Sequence, residues 1–194
     1  MLSSAPMIRC TWCENDPFQH PYHDTEWGVP TYDDHKLFAF LVLEGAQAGL
    51  SWLTILKRRD GYTKAFKNFD VRSVAAMTDE ELEALMHDAS IIRNRLKIWS
   101  TRTNAKAFID VQKRHGSFAS FLWDFVGGIQ LRNHWTDMSQ VPAKTPTSDA
   151  LSKALKKAGF TFVGSTICYA YMQAMGLVND HLVYCTRHAE LTAN

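Results

Sequence analysis

The chain has 194 residues, enough for one domain or two small lobes around a shared core. Hydrophobic residues make up 46% and charged residues 21%, the balance of an ordinary globular protein, and no apolar run approaches the length of a membrane span. A net charge of +1 excludes a uniformly basic surface, so a nucleic-acid partner would require the positive charge to be gathered on one face.

In chain order, the apolar pattern is helical almost throughout. Met1-Leu2-Ser3-Ser4-Ala5-Pro6 has no basic segment followed by an apolar stretch, so residues 1–8 read as a short tail and a cytoplasmic protein is expected. Leu37, Phe38, Leu41, Val42 and Gly45 recur at helical spacing and predict a helix over 33–48; a short helix over 51–59 follows the Gly49-Leu50 break. Thr78-Asp79-Glu80-Glu81 forms a capping box, with Leu82, Leu85 and Met86 on one face behind it. Helices are predicted over 93–115, ending at Gly116, and over 118–126, stopped by Gly127-Gly128. The stretch 131–146 holds two prolines and many polar residues and reads as a loop. Helices over 149–158 and 165–175 follow, and residues 188–194 read as a C-terminal tail. No set of alternating strands and no fixed-period repeat is visible. The expected class is all-α, one domain of two helical lobes over residues 9–187.

Several groups of residues carry chemistry. Basic residues cluster at Lys57-Arg58-Arg59, at Arg93, Arg95 and Lys97, at Lys113-Arg114 and at Lys156-Lys157, although any one of these is as readily a solvated helix face. Glu44 interrupts the apolar run Phe38-Ala39-Phe40-Leu41-Val42-Leu43, and Gly45, Ala46, Ala48 and Gly49 beside it are small enough to let a ligand approach backbone. A carboxylate there either reaches solvent or has a buried task. Trp12, Tyr22, Trp27 and Trp52 sit in nearby segments beside polar residues. Core packing is the common fate of each, but together with one carboxylate they suit a cationic aromatic ring, which gains stacking, cation–π attraction and an ionic hydrogen bond.

Between the last two long helices, Gly159 to Thr166 forms a short connection with glycines at both ends. Gly164 can bring backbone close to a ligand, and the N–H groups at the start of the next helix, around Ser165 and Thr166, form a polarised site for a phosphate oxygen. Such a contact holds DNA without reading its sequence. The four cysteines are Cys10, Cys13, Cys168 and Cys185, and with no export signal a disulfide framework is disfavoured. His181 and Cys185 are one helical turn apart, and Cys10 and His23 flank Trp12 and Tyr22. Two Cys and two His make a closed tetrahedral zinc site. Spacing leaves the set open, because Cys10-Thr11-Trp12-Cys13 is itself a chelating pattern and His20 and His188 are further candidates.

Six stretches together resemble one family, the type I 3-methyladenine DNA glycosylases. They are Arg9-Cys10-x-Trp12, Tyr22-His23-Asp24-x-Glu26-Trp27-Gly28-Val29-Pro30, and Leu43-Glu44-Gly45-Ala46-Gln47-Ala48-Gly49-Leu50-Ser51-Trp52; then Ile91-Ile92-Arg93-Asn94, Phe162-Val163-Gly164-Ser165-Thr166-Ile167-Cys168-Tyr169, and Met172-Gln173-Ala174-Met175-Gly176-Leu177-Val178-Asn179-Asp180-His181. They keep the family's order from about Arg9 to Cys185. The resemblance implies a helix–hairpin–helix superfamily fold and monofunctional hydrolysis of the N-glycosidic bond of 3-methyladenine in double-stranded DNA. It implies one structural zinc on Cys10, His23, His181 and Cys185, leaving Cys13 without a role. It implies a base pocket of Glu44, Tyr22, Trp27 and Trp52 with Trp12 at the rim, and Glu44 as the catalytic group. It further implies that Gly49-Leu50 approaches the gap in the DNA stack and that Gly164, Ser165 and Thr166 hold the DNA backbone. Asp180 sits near the place where superfamily members commonly carry a catalytic aspartate; this family is described as lacking it, so Asp180 is expected to be structural. A monomer with no membrane partner is expected. The competing expectations are a DNA-binding module without catalysis, a glycosylase for another base, and a zinc-stapled interaction protein.

Overall fold

The computed structural model describes residues 7–192, so most of the expected N-terminal tail, and residues 193–194, lie outside the described residues. Two short helices open the chain, α1 (Thr11–Glu14) and α2 (His20–Thr25). The central helix α3 (Asp34–Gln47) is capped by Asp33, whose side chain accepts from the His35 N–H. From Leu37 to Ala46 every residue of α3 is buried, so other elements pack on all its sides. Then come α4 (Trp52–Leu56), α5 (Arg59–Ala65), α6 (Val71–Ala75) and α7 (Asp79–Ala84). The capping box at Thr78 and Glu81 is present in both directions.

The long helix α8 (Arg95–His115) begins two residues later than its apolar pattern suggests, because Asn94 is the cap and accepts from the Lys97 N–H. After α9 (Phe118–Trp123), the last pair of long helices is α10 (Pro146–Lys157) and α11 (Ser165–Ala174), and α12 (Thr186–Thr192) closes the described chain. Helix α10 starts before the predicted 149, since Thr145 caps it and Pro146 fits the first helical position. Two corrections concern irregular stretches. The predicted loop 131–146 contains a short strand, β1 (Leu131–Arg132), which pairs in parallel with β2 (Val178–Asn179). Two residues per strand are too few to leave an alternating pattern. The stretch read as a C-terminal tail is helical through Thr192, with His188 and Leu191 buried.

Helix α3 packs against α8, α9 and α11, and α10 packs against α11. Phe108 of α8 lies edge-on to Phe38 of α3 at 5.2 Å and stacks on Phe118 of α9 at 4.1 Å. Asp34 locks α9 in place by accepting from the Phe118 and Ala119 N–H groups at 2.9 and 2.8 Å, the free donors of a helix start. At the end of α11 the chain meets the segment after α2 so closely that only glycine fits: a Cβ on Gly176 would lie 2.3 Å from the Pro30 nitrogen. This contact, with Gly28 N–H donating to Gln173 O and Thr31 N–H to Met175 O, fixes the N-terminal segment against α11. No helix among the described residues is long and apolar enough to cross a membrane.

Candidate active site

Where α3, α11 and the segment carrying α1 and α2 meet, a cavity of about 180 Å³ opens, lined by Trp12, Tyr22, Trp27, Glu44, Gln47, Trp52, Met138, Ala170 and Gln173. That is less than a drug-sized ligand needs, about 300 Å³ or more, and suits one heteroaromatic ring system. All five residues singled out for a base pocket from the sequence border it. Trp12 meets Trp27 edge-on at 5.2 Å, and Tyr22 lies 5.0 Å from Trp52 at a 42° tilt. Phe40, behind them, stacks on both Tyr22 and Trp52 at 6.1 Å and sets the angle of each ring.

Glu44 is the polar centre of this cavity. It is 3% exposed, and its Oε2 has no hydrogen-bond partner among the described residues. The indole N–H groups of Trp12 and Trp52 are likewise buried without partners. Buried polar atoms in native proteins are almost always satisfied, so three orphans around one hollow indicate a polar ligand. Burial pushes the Glu44 carboxyl up to about 8, with no nearby cation to offset it. Tyr22 is also raised well above its usual range, by burial first and then by Glu44, so it stays a phenol.

A second hollow of about 220 Å³ adjoins the first and shares Glu44, Gln47 and Ala170 with it. Its remaining wall is Ala48, Gly49, Leu50, Thr166 and Ile167. Gly49 takes a φ of +77°, a conformation that side chains disfavour, and turns the chain out of α3 so that Leu50 is 40% exposed. Across the hollow, Gly164 caps α11 without any side-chain hydrogen bond, which leaves the N–H groups of its first turn open. The Gly49-Leu50 turn and Thr166, in the first turn of α11, therefore border one hollow. The basic clusters do not gather there as a group: Lys57 pairs with Asp16, Arg59 with Glu26, Arg95 with Glu83 and Lys113 with Asp110.

Behind the cavity, Cys10, His23, His181 and Cys185 form a buried cluster whose ligand atoms all lie within 4.8 Å of one another. The Cys185 sulfur is 3.6 Å from His23 Nε2 and 3.5 Å from His181 Nδ1, and the Cys10 sulfur is 3.6 Å from His181 Nδ1. A tetrahedral zinc with sulfur at about 2.3 Å and nitrogen at about 2.0 Å sets S···N edges of about 3.5 Å, so these residues fit the metal. The outer nitrogens are committed as such a site requires: His23 Nδ1–H donates to Asp24 at 2.8 Å and His181 Nε2–H to the Trp27 carbonyl at 3.0 Å. The nearness of the two sulfurs, with burial, drives the Cys10 thiol upward, while Cys10 and the two imidazoles draw Cys185 downward. Cys13 is buried outside the cluster and donates to the Cys10 carbonyl at 3.1 Å. The cluster is also a scaffold for the cavity. Cys10 and His23 are close neighbours in sequence of Trp12 and Tyr22, and Trp27 packs on His181 at 4.6 Å.

Asp180 is fully buried. Its oxygens accept from Asn133 Nδ2, Trp135 Nε1, Tyr169 Oη and Gln173 Nε2 at 2.6–2.8 Å. With four donors its acceptor capacity is filled, as expected of a structural residue. Gln47, Met138, Ala170 and Gln173 are wall residues that the sequence reading does not single out. Gln173 lies in a recognised segment, but nothing in the spacing marks an amide as facing a cavity.

The class is thus a helical protein with an aromatic-walled pocket that holds one buried carboxylate beside an open helix start. Comparison with known proteins gives the family. Residues 12–188 match the model of the methyladenine glycosylase family, and the chain belongs to it. It is 51% identical over 179 residues to DNA-3-methyladenine glycosylase 1 of Escherichia coli strain K12, covering 92% of this chain and 96% of that protein. It is also similar to a crystal structure of 3-methyladenine DNA glycosylase I, with a TM-score of 0.90 and 49% identity over 92% of this chain and 98% of that one. A variant of 3-methyladenine DNA glycosylase I solved in complex with 3-methyladenine is 36% identical, with a TM-score of 0.89 over 93% of this chain and 97% of that one.

Proposed function

We propose that this chain excises 3-methyladenine from DNA by closing the aromatic pocket around the extruded base and placing Glu44 against its edge. It is a DNA-3-methyladenine glycosylase, which hydrolyses the N-glycosidic bond in base excision repair and leaves an abasic site. The observation that carries the mechanism is the unpartnered Glu44 oxygen inside a ring-lined cavity.

Methylation at N3 gives the adenine a positive charge and weakens its bond to the sugar, so departure needs little acid help. Extruding a damaged base costs a few kcal/mol, less than for an intact pair. Once inside, the cation supplies the charge partner that Glu44 lacks and pulls its carboxyl back toward the anionic form. Glu44 then accepts a hydrogen bond from the base edge, the rings of Tyr22, Trp27, Trp52 and Trp12 hold the purine, and the carboxylate stabilises positive charge developing on the sugar. Water completes the hydrolysis.

Leu50, raised by Gly49, enters the space left in the stack, and Gly164, Ser165 and Thr166 hold a phosphate at the start of α11. The pair α10–α11 with its Gly159–Gly164 connection is the helix–hairpin–helix element of the superfamily. Cys10, His23, His181 and Cys185 would hold one zinc ion, which would supply a structural tie between the segment before α2 and the segment after α11. Residues 9–187 form the glycosylase domain, which acts as a monomer in the cytoplasm. Chromatography of bases released from methylated DNA tests the activity. Free 3-methyladenine with the strand intact is the expected product. Retention of all methylated bases by active-grade, folded protein contradicts the reading.

A further inference from the structure

Gln173 is one of the wall residues of the pocket to which the proposed mechanism gives no task. Its Nε2 donates to Asp180 Oδ2 at 2.8 Å. Asp180 also takes Tyr169 Oη on the same oxygen at 2.6 Å, and Asn133 Nδ2 and Trp135 Nε1 on the other at 2.7 and 2.8 Å. A carboxylate only accepts, so it fixes which end of an amide faces it: a flipped Gln173 would set oxygen against oxygen. The side-chain Oε1 of Gln173 is therefore the end left over, and it accepts no hydrogen bond among the described residues. Gln47, the other wall amide, has no such clamp.

We propose that Gln173 determines base specificity: its locked carbonyl oxygen receives the exocyclic amino group of an adenine-type ring and rejects rings that carry a carbonyl there. Asp180 is the positioning residue, since an unclamped amide would rotate and accept either edge. The inference rests on the pocket being the base pocket. An amino group donates to a fixed acceptor, whereas a 6-oxo group meets it lone pair to lone pair and leaves both unpaired. Sites built on one obligatory polar contact discriminate strongly against ligands that lack it.

The test measures single-turnover release of 3-methyladenine and 3-methylguanine from the same methylated DNA. Gln173→Met, which keeps volume and loses the acceptor, is expected to lower the ratio of the two rates at least tenfold. Asp180→Asn, which frees the amide, is expected to lower it in the same direction. A merely structural role would slow both bases alike, so an unchanged ratio overturns the proposal. If either variant fails to fold, the wild-type protein decides by binding free 3-methyladenine against 3-methylhypoxanthine, its 6-oxo counterpart. Preference for the amino form supports the proposal, and equal binding overturns it. Wild-type protein that releases neither base would instead refute the pocket assignment itself.

Discussion

Glu44 joins two properties that pull in opposite directions with pH. Its carboxyl has an ordinary value of 4.5 in the unfolded chain and is pushed to about 8 by burial in the fold. Between those values the folded state holds a proton that the unfolded state has released, so stability falls as pH rises through that window. Glu44→Gln removes this titration. Its melting temperature is expected to lie close to the wild type near pH 5 and to exceed it by a growing margin toward pH 8; thermal unfolding across the range checks it. Catalysis runs the other way, because the acceptor must ionise. The kcat/KM is expected to rise as pH increases toward about 8 and then level, and the profile of Glu44→Gln to be flat. Glu44 was legible in the sequence because a charge inside an apolar run needs a reason. Gln173 was not, because an amide on a helix needs none, and its clamp on Asp180 joins residues that only the fold brings together.

At the scale of elements, the turn after α3 depends on a residue far along the chain. Lys97 of α8 donates to the carbonyls of Ala46 at 2.9 Å and Ala48 at 2.6 Å, the unpaired oxygens at the end of α3, where a cation also favours the helix dipole. Burial lowers its pKa, and its ammonium holds the base of the Gly49-Leu50 turn. Lys97→Met is expected to slow base release from duplex DNA by about 10–100-fold, the cost of a small misplacement of a working group. Binding of the free base should barely change, because Lys97 does not line the base pocket. Comparison of single-turnover rates with free-base affinity separates these effects. Long elements could be read in advance: α3, α8 and α11 have enough turns for their apolar faces to repeat. The short helices α1, α2, α5 and α6 could not, since four to seven residues hold too little pattern and owe their shape to what they pack against. The β1–β2 pairing was equally hidden.

On the scale of the whole molecule, the segment before α2 and the segment after α11 are tied together behind the pocket. Thr186 N–H donates to the Ile8 carbonyl and Ile8 N–H to the Thr186 hydroxyl, both at 2.9 Å, beside the Cys and His cluster. Loss of one ligand should therefore loosen the ends and, through Trp12, Tyr22 and Trp27, the cavity. Elemental analysis is expected to find about one zinc per chain. Cys10→Ala should lower the melting temperature by about 4–8 °C, as about 2 kcal/mol would at this size, while the folded fraction still releases base. Spacing alone did not choose between Cys10 and Cys13; the family resemblance named the ligand set, and the geometry that keeps Cys13 outside it depends on α1. The central claim is that a buried carboxylate recognises an electron-poor base. Single-turnover release of 3-methyladenine by folded Glu44→Ala measures it most directly. The account predicts a loss of at least about 100-fold relative to the wild type, the scale of removing one preorganised electrostatic group; wild-type release by that variant would contradict it.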